Sequence, residues 1–164
     1  MLLPRSLVLL PLSLAAARPP GPQCKEVPSS SGWPSRSTWS GLNSTTGGNL
    51  LSALPPAIVC DKTSQYYSPG QCRVVGEEFM LASFHDADPV SVHWPNWQND
   101  GCLPSALYNG SCNLAPFPKY TVNASTAEHV VEAAKFASAH NLRLSVKNTG
   151  HDYLGRSVTL AWSS

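Results

Sequence analysis

From Lys119 onward the apolar and polar positions fall into recognisable periods. Tyr120-Thr121-Val122 is aromatic and β-branched, which predicts a short strand. Ser125 stands three residues before Glu128, the spacing of a capping box, so a helix is expected over 126–140. Val130, Val131, Ala134 and Ala137 form its apolar stripe, with Glu132 and Lys135 outside it. Asn141 suits a left-handed C-terminal cap. Leu142-Arg143-Leu144-Ser145-Val146 then alternates, as a strand does. Strand, helix and strand in so short a span predict a βαβ-like unit, with a right-handed crossover if the strands are parallel.

Residues 18–118 show no such sustained period. Ser29-Ser30-Ser31-Gly32, Thr45-Thr46-Gly47-Gly48 and Pro55-Pro56 punctuate this stretch as loops. One short helical piece is expected over 77–84, with Phe79, Met80 and Phe84 on one side. At the N-terminus, Arg5 precedes the apolar run Leu7-Val8-Leu9-Leu10, then Ala15-Ala16-Ala17 and a stop at Arg18-Pro19-Pro20. That order of charged, apolar and small residues predicts a secretory signal peptide over 1–17. The run is far below the ~20 residues needed to span a bilayer, so no membrane anchor is expected.

Composition sharpens the division. All 15 Pro and all 5 Cys lie at or before Pro118, and 119–164 contains neither. The formal charge is only +1, without a basic stripe, which argues against nucleic acid as a partner. Cys60 with Cys72, and Cys102 with Cys112, bracket loops short enough for disulfides to close, leaving Cys24 over. Four cysteines alone permit three pairings. Metal binding is the rival reading, but no CxxC pair or His partner stands at ligand spacing. Sequons at Asn43, Asn109 and Asn123 agree with a secreted chain and mark three candidate glycosylation sites.

Candidate chemistry is sparse. His85, Asp86, Asp88 and His93 suggest a metal, but Pro89 breaks the run and no regular element presents them together. His129 and His140, like His85 and His93, are read as surface or packing residues, and Trp94 and Trp97 as packing or interface aromatics. The stretch Lys147-Asn148-Thr149-Gly150-His151-Asp152-Tyr153-Leu154-Gly155-Arg156-Ser157 is more informative. Gly150 and Gly155 allow close backbone approach, and successive N–H groups in such a turn form an anion-binding nest. By spacing alone it is neither GxGxxG nor a P-loop, and a plain turn with a solvated histidine is the default reading.

The ten residues from Asn148 to Ser157 resemble the flavin-anchoring loop of vanillyl-alcohol-oxidase-type FAD enzymes, which carry a PCMH-type FAD-binding domain. The likeness is greatest to the berberine-bridge-enzyme-like group of fungal secreted oxidases. It extends to His129-Val130-Val131, Phe136-Ala137 and Asn141-Leu142-Arg143, to Trp33-Pro34-Ser35, and to Trp94-Pro95-Asn96-Trp97 with Cys102-Leu103-Pro104. It thus covers about residues 24–157. The resemblance implies an FAD-linked oxidoreductase in which His151 is joined covalently to the flavin 8α-methyl carbon. The main chain at Asn148, Thr149, Gly150, Asp152 and Gly155 would then hold the pyrophosphate. A small-molecule substrate and molecular oxygen are the implied partners, with fungal secondary metabolism as the setting.

Departures from the family pattern matter as well. Ser31-Gly32 stands where a second N-terminal cysteine is expected, so Cys24 has no evident partner. After Ser157 the chain reads Val158 to Ser164, without the rest of the flavin subdomain, the second flavin-linking cysteine or the substrate domain. The expected fold is therefore α+β: a loop-rich, disulfide-stapled segment over 18–118, then the first strand–helix–strand unit of a truncated PCMH-type domain over 119–164. As an N-terminal fragment it is expected to be inactive alone, with no catalytic acid or base assigned. The competing reading is a small secreted, disulfide-stapled binding module without catalysis.

Overall fold

The computed structural model describes residues 24–104 and 111–158. The expected signal peptide and the sequon at Asn109 lie outside the described residues. Among the described residues six short elements carry the regular structure: α1 (Arg36–Thr45), β1 (Leu50–Ser52), α2 (Pro69–Glu78), α3 (Ala82–Ala87), β2 (Tyr120–Val122) and α4 (Ala127–Ala139), with 3-10 turns at Pro56–Cys60 and Pro95–Gln98. Helices and one small sheet make the fold mixed. The loop-rich segment holds more helix than its lack of period suggests, and its start signals are local. The Ser35 hydroxyl accepts from Thr38 N–H at 3.2 Å to open α1. Ser68 does the same for α2 from Gln71 N–H, with Pro69 in the first turn, where its missing N–H costs nothing.

The expected helix over 77–84 is instead a break between two helices. The Phe79 carbonyl is taken by His85 Nε2 at 2.6 Å, and Leu81 N–H turns back to Glu78 O at 2.8 Å. Phe79 is buried, whereas Met80 is 82% exposed, so the proposed common face does not form. Both expected disulfides are present, Cys60–Cys72 and Cys102–Cys112, with Cα atoms 4.8 and 4.5 Å apart. Cys24 is free and exposed. The staples flank a core of Ala53, Ala57, Ile58, Val75, Phe79, Val90 and Phe117.

A second core joins residues on both sides of Pro118. Trp39 and Leu42 of α1 pack with Ala137 of α4 and with Leu142. The Trp39 ring lies 4.4 Å from Tyr120 and 4.8 Å from Phe136, centroid to centroid, near-contact geometry for aromatic pairs. Helix α4 begins one residue later than the capping box predicts. Its cap is Thr126, whose hydroxyl accepts from His129 N–H at 3.3 Å, while Ser125 turns to the His129 ring. It ends at Ala139 with His140 as its C-cap, and Asn141, the next residue, is left-handed as expected, with φ of 52°.

The βαβ arrangement does not form. β2 pairs antiparallel with β1, Leu50 opposite Val122 and Ser52 opposite Tyr120. The expected strand over 142–146 reduces to one parallel bridge between Glu26 and Leu142. Leu142 is buried, but Leu144 and Val146 are 52% and 72% exposed. Alternation alone cannot hold an extended segment as a strand; its N–H and C=O groups need a partner ladder.

Candidate functional site

The loop after this extended segment is held at four points, all on the stretch between His85 and Trp97. The Lys147 ammonium donates to the carbonyls of His85 and Asp88 at 2.9 and 2.8 Å, closing the C-terminal end of α3. Its partial burial pushes the Lys147 pKa down, against the pull of Asp88 and Asp86. Gly150 has φ of 80°, its carbonyl accepts from His93 N–H at 3.4 Å, and a Cβ there would stand 2.9 Å from Lys147 Cε. Gly155, at φ of 73°, presses on the Trp97 ring, where a Cβ would come within 2.7 Å. Gly155 is needed for clearance from the ring as well as for dihedral freedom, and Gly150 for dihedral freedom.

His151 is the third of these points in chain order. Its Nε2 lies 3.1 Å from Asp86 Oδ1, and its ring stacks on His93 with centroids 4.4 Å apart and planes 23° off parallel. A carboxylate only accepts, so Nε2 carries the proton. The His151 side chain remains 45% exposed. Behind it the imidazole stack is anchored. His93 meets His85 edge-on at 5.5 Å, and His85 is buried with both nitrogens bonded. The Phe79 carbonyl can only accept, so His85 Nε2 bears its proton, and in the neutral ring Nδ1 accepts from Ser91 Oγ at 2.5 Å. Burial pushes the His85 pKa down, outweighing the Phe79 hydrogen bond.

Asp152 is occupied within the loop. It takes the Arg156 guanidinium at 2.7 and 3.1 Å and the Arg156 N–H at 2.5 Å, which lowers its pKa to about 2. The same pair raises Arg156. Asn148 and Thr149 lie exposed on the outer limb, and Tyr153, 5.4 Å from Trp94 between ring centroids, continues the aromatic rim. Residues 85–93 therefore form a wall for the loop. Among the described residues no group of three His, Cys, Asp or Glu is arranged to hold a metal. The clustering of His and Asp there was the visible signal; their partner lies 58–66 positions away in the chain. Of the described sequons, Asn43 is half-buried in α1, its Oδ1 accepting from Leu50 N–H at 3.1 Å, and Asn123 is exposed after β2.

No family profile matches the chain. Curated relatives do. It is 38% identical over 139 residues to a VAO-type flavoprotein oxidase of Thermothelomyces thermophilus, covering 84% of this chain and 24% of the relative. It is 38% identical to an FAD-linked oxidoreductase of Neocamarosporium betae, covering 82% and 24% of the two chains. A bifunctional decalin synthase of Penicillium decumbens is 32% identical, at 93% and 27% coverage. The crystal structure of a VAO-type flavoprotein from Myceliophthora thermophila C1 superposes with a TM-score of 0.76 at 37% identity, over 83% of this chain and 25% of that one. The chain thus spans about a quarter of the length of the relatives it matches. It is a partial match to the VAO/PCMH family of flavoprotein oxidases and FAD-linked oxidoreductases.

Proposed function

We propose that these residues supply the flavin-anchoring part of an FAD-linked oxidoreductase, with His151 as the covalent attachment point. The observation that carries this reading is the presentation of His151. Its ring is half-exposed at a glycine-flanked turn, with one nitrogen committed to Asp86 and a flat face on His93. The residues fit the group. A neutral imidazole is a nucleophile near pH 7. The main chain from Asn148 to Asp152 suits an anionic pyrophosphate, aided by the positive-φ turns at Gly150 and Gly155. The one carboxylate in this stretch, Asp152, is neutralised by Arg156 instead of facing the phosphates.

FAD, when bound, supplies two-electron oxidation of a small organic substrate and reoxidation by molecular oxygen. This chain's part is to bind and orient it. Two disulfides fit a secretory protein, and no helix among the described residues is long and apolar enough to cross a membrane. Glycosylation at Asn43, Asn109 and Asn123, a signal peptide and secretion belong to the same proposal. The names of relatives such as the decalin synthase support a place in fungal secondary metabolism. Because the match covers a quarter of those relatives, the 164 residues alone are expected to hold flavin weakly and not to turn over.

Titration of FAD with the purified chain, followed by fluorescence anisotropy, tests this. Saturable, reversible binding that is lost in His151→Glu supports it. Anisotropy unchanged at any protein concentration, or unaffected by the loop variant, refutes it. Flavin retained in the acid-precipitated pellet by the parent chain and lost in His151→Glu would support the covalent link at His151 while overturning the expectation of weak holding; retention in both would refute His151 as the attachment point.

A further inference from the structure

Two restraints on His151 act in different directions, and neither comes from its own loop. Asp86 Oδ1 fixes the ring in its plane through Nε2 at 3.1 Å; His93 fixes it from the face at 4.4 Å. We propose that Asp86 and His93 are positioning residues for His151, holding one orientation and one tautomer, Nε2–H, so that Nδ1 keeps its lone pair.

His93 suits the role because it is itself immobilised. Its N–H donates to Gly150 O at 3.4 Å, its ring meets His85 edge-on and Trp94 at 6.0 Å, and its buried Nδ1 has no hydrogen-bond partner among the described residues. Stacked at 4.4 Å, its ring serves His151 as a flat platform. Asp86 supplies what His93 cannot. Its side chain is 41% exposed and its carboxylate accepts from Nε2–H, which leaves the lone pair on Nδ1. Charge at the ring edge, aromatic surface behind it and an open side in front make a directed nucleophile, whereas a solvated histidine samples both tautomers and many rotamers.

This inference rests on the flavin-anchoring reading, but its test does not require flavin. The experiment records long-range ¹H–¹⁵N spectra of the histidine-labelled chain, and the rate of His151 modification by diethyl pyrocarbonate read by peptide mass. In the parent chain, His151 should show one acceptor-type Nδ1 resonance, and its ring protons should be shifted upfield by His93. Asp86→Ala should move Nδ1 toward the average of exchanging tautomers, erase the upfield shift and slow modification by about threefold, as expected when the Nε2–H tautomer with its free Nδ1 lone pair is no longer held. His93→Phe keeps a flat platform and should preserve the upfield shift; His93→Ala should abolish it. Unchanged dispersion of the Trp39 and Phe79 signals certifies that each variant is folded. Parent-like His151 spectra and modification rate in folded Asp86→Ala would overturn the proposal while leaving the FAD titration untouched. Failure of the FAD titration with the His151 signatures intact would overturn the flavin reading instead.

Discussion

His85 offers the clearest energetic test of how the wall behind the loop is held. It is 3% exposed, bonded through Nε2 to the Phe79 carbonyl and through Nδ1 to Ser91. His85→Ala removes a buried ring and orphans both partners at once. An unsatisfied buried carbonyl costs about 1–3 kcal/mol, and the cavity left by a ring adds a similar amount, so the loss should total about 3–5 kcal/mol. For a chain of this size that lowers Tm by roughly 10 °C. His85→Gln, which can still donate to the carbonyl, should recover about half of the loss. Differential scanning calorimetry at pH 7.5 reads both. A second arm uses pH. Burial holds the native His85 pKa below 6.5. As pH falls through 6.5 the unfolded chain takes up a proton that the native ring refuses, so stability is full above that value and declines below it. The parent should therefore lose stability on acidification from about pH 7, and His85→Ala should lose less over the same interval. A loss under about 1 kcal/mol in His85→Ala, or an unchanged acid slope, would refute the reasoning.

Three further outcomes follow from the same geometry. Replacing Cys60 and Cys72 by serine opens a loop of sequence separation 12 and should cost about 3 kcal/mol by chain entropy, read as a drop in denaturant midpoint; the Cys102–Cys112 pair, separated by 10, should cost nearly as much. Gly155→Ala places a Cβ against Trp97 at an unfavourable φ and should cost about 1–3 kcal/mol, with a change in tryptophan fluorescence that Gly41→Ala, in open space within α1, does not produce. Arg156→Ala should return Asp152 from about 2 toward its ordinary 3.8, measured by carboxyl ¹³C titration. Because the native Asp152 pKa is depressed, the pair's contribution is present above pH 3.8 and is lost as pH falls through about 2.

Parts of this fold are legible in the residues and parts are not, for physical reasons. Helix α4 carries its cap, its period and its left-handed stop within 16 positions, so local chemistry suffices to place it. Its buried face is less legible: Val130 and Val131 are 52% and 47% exposed, while Ala137 is buried and Phe136 packs against the same core. A periodic stripe marks a helix, but which part is covered depends on the neighbours. Helices α1 and α2 hide behind serine, glycine and proline, which read as loop unless Ser35 and Ser68-Pro69 are taken as start signals. The segment 142–146 misleads the other way, because alternation promises a strand that only a pairing partner can complete. Spacing nominates the disulfide pairs, and the structure selects them from the three pairings that four cysteines allow.

His151 and its glycines stand out in a single stretch of chain, but what makes that stretch a site comes from elsewhere. Lys147 reaches the α3 carbonyls, Gly150 packs on Val92, His151 sits on Asp86 and His93, and Gly155 on Trp97. Every one of these contacts lands between His85 and Trp97, a stretch that Gln98 ties to Val90 O at 3.1 Å and so to the stapled core. The other core, around Trp39, supports α4 and supplies none of them. The proline- and cysteine-rich segment therefore does more than precede the loop. It is the rigid surface on which the loop is laid, and covalent staples suit that task because short, irregular segments bury too little apolar area to hold a ring orientation on their own. The orientation of one imidazole is thus set by residues that neither periodicity nor motif could have joined to it.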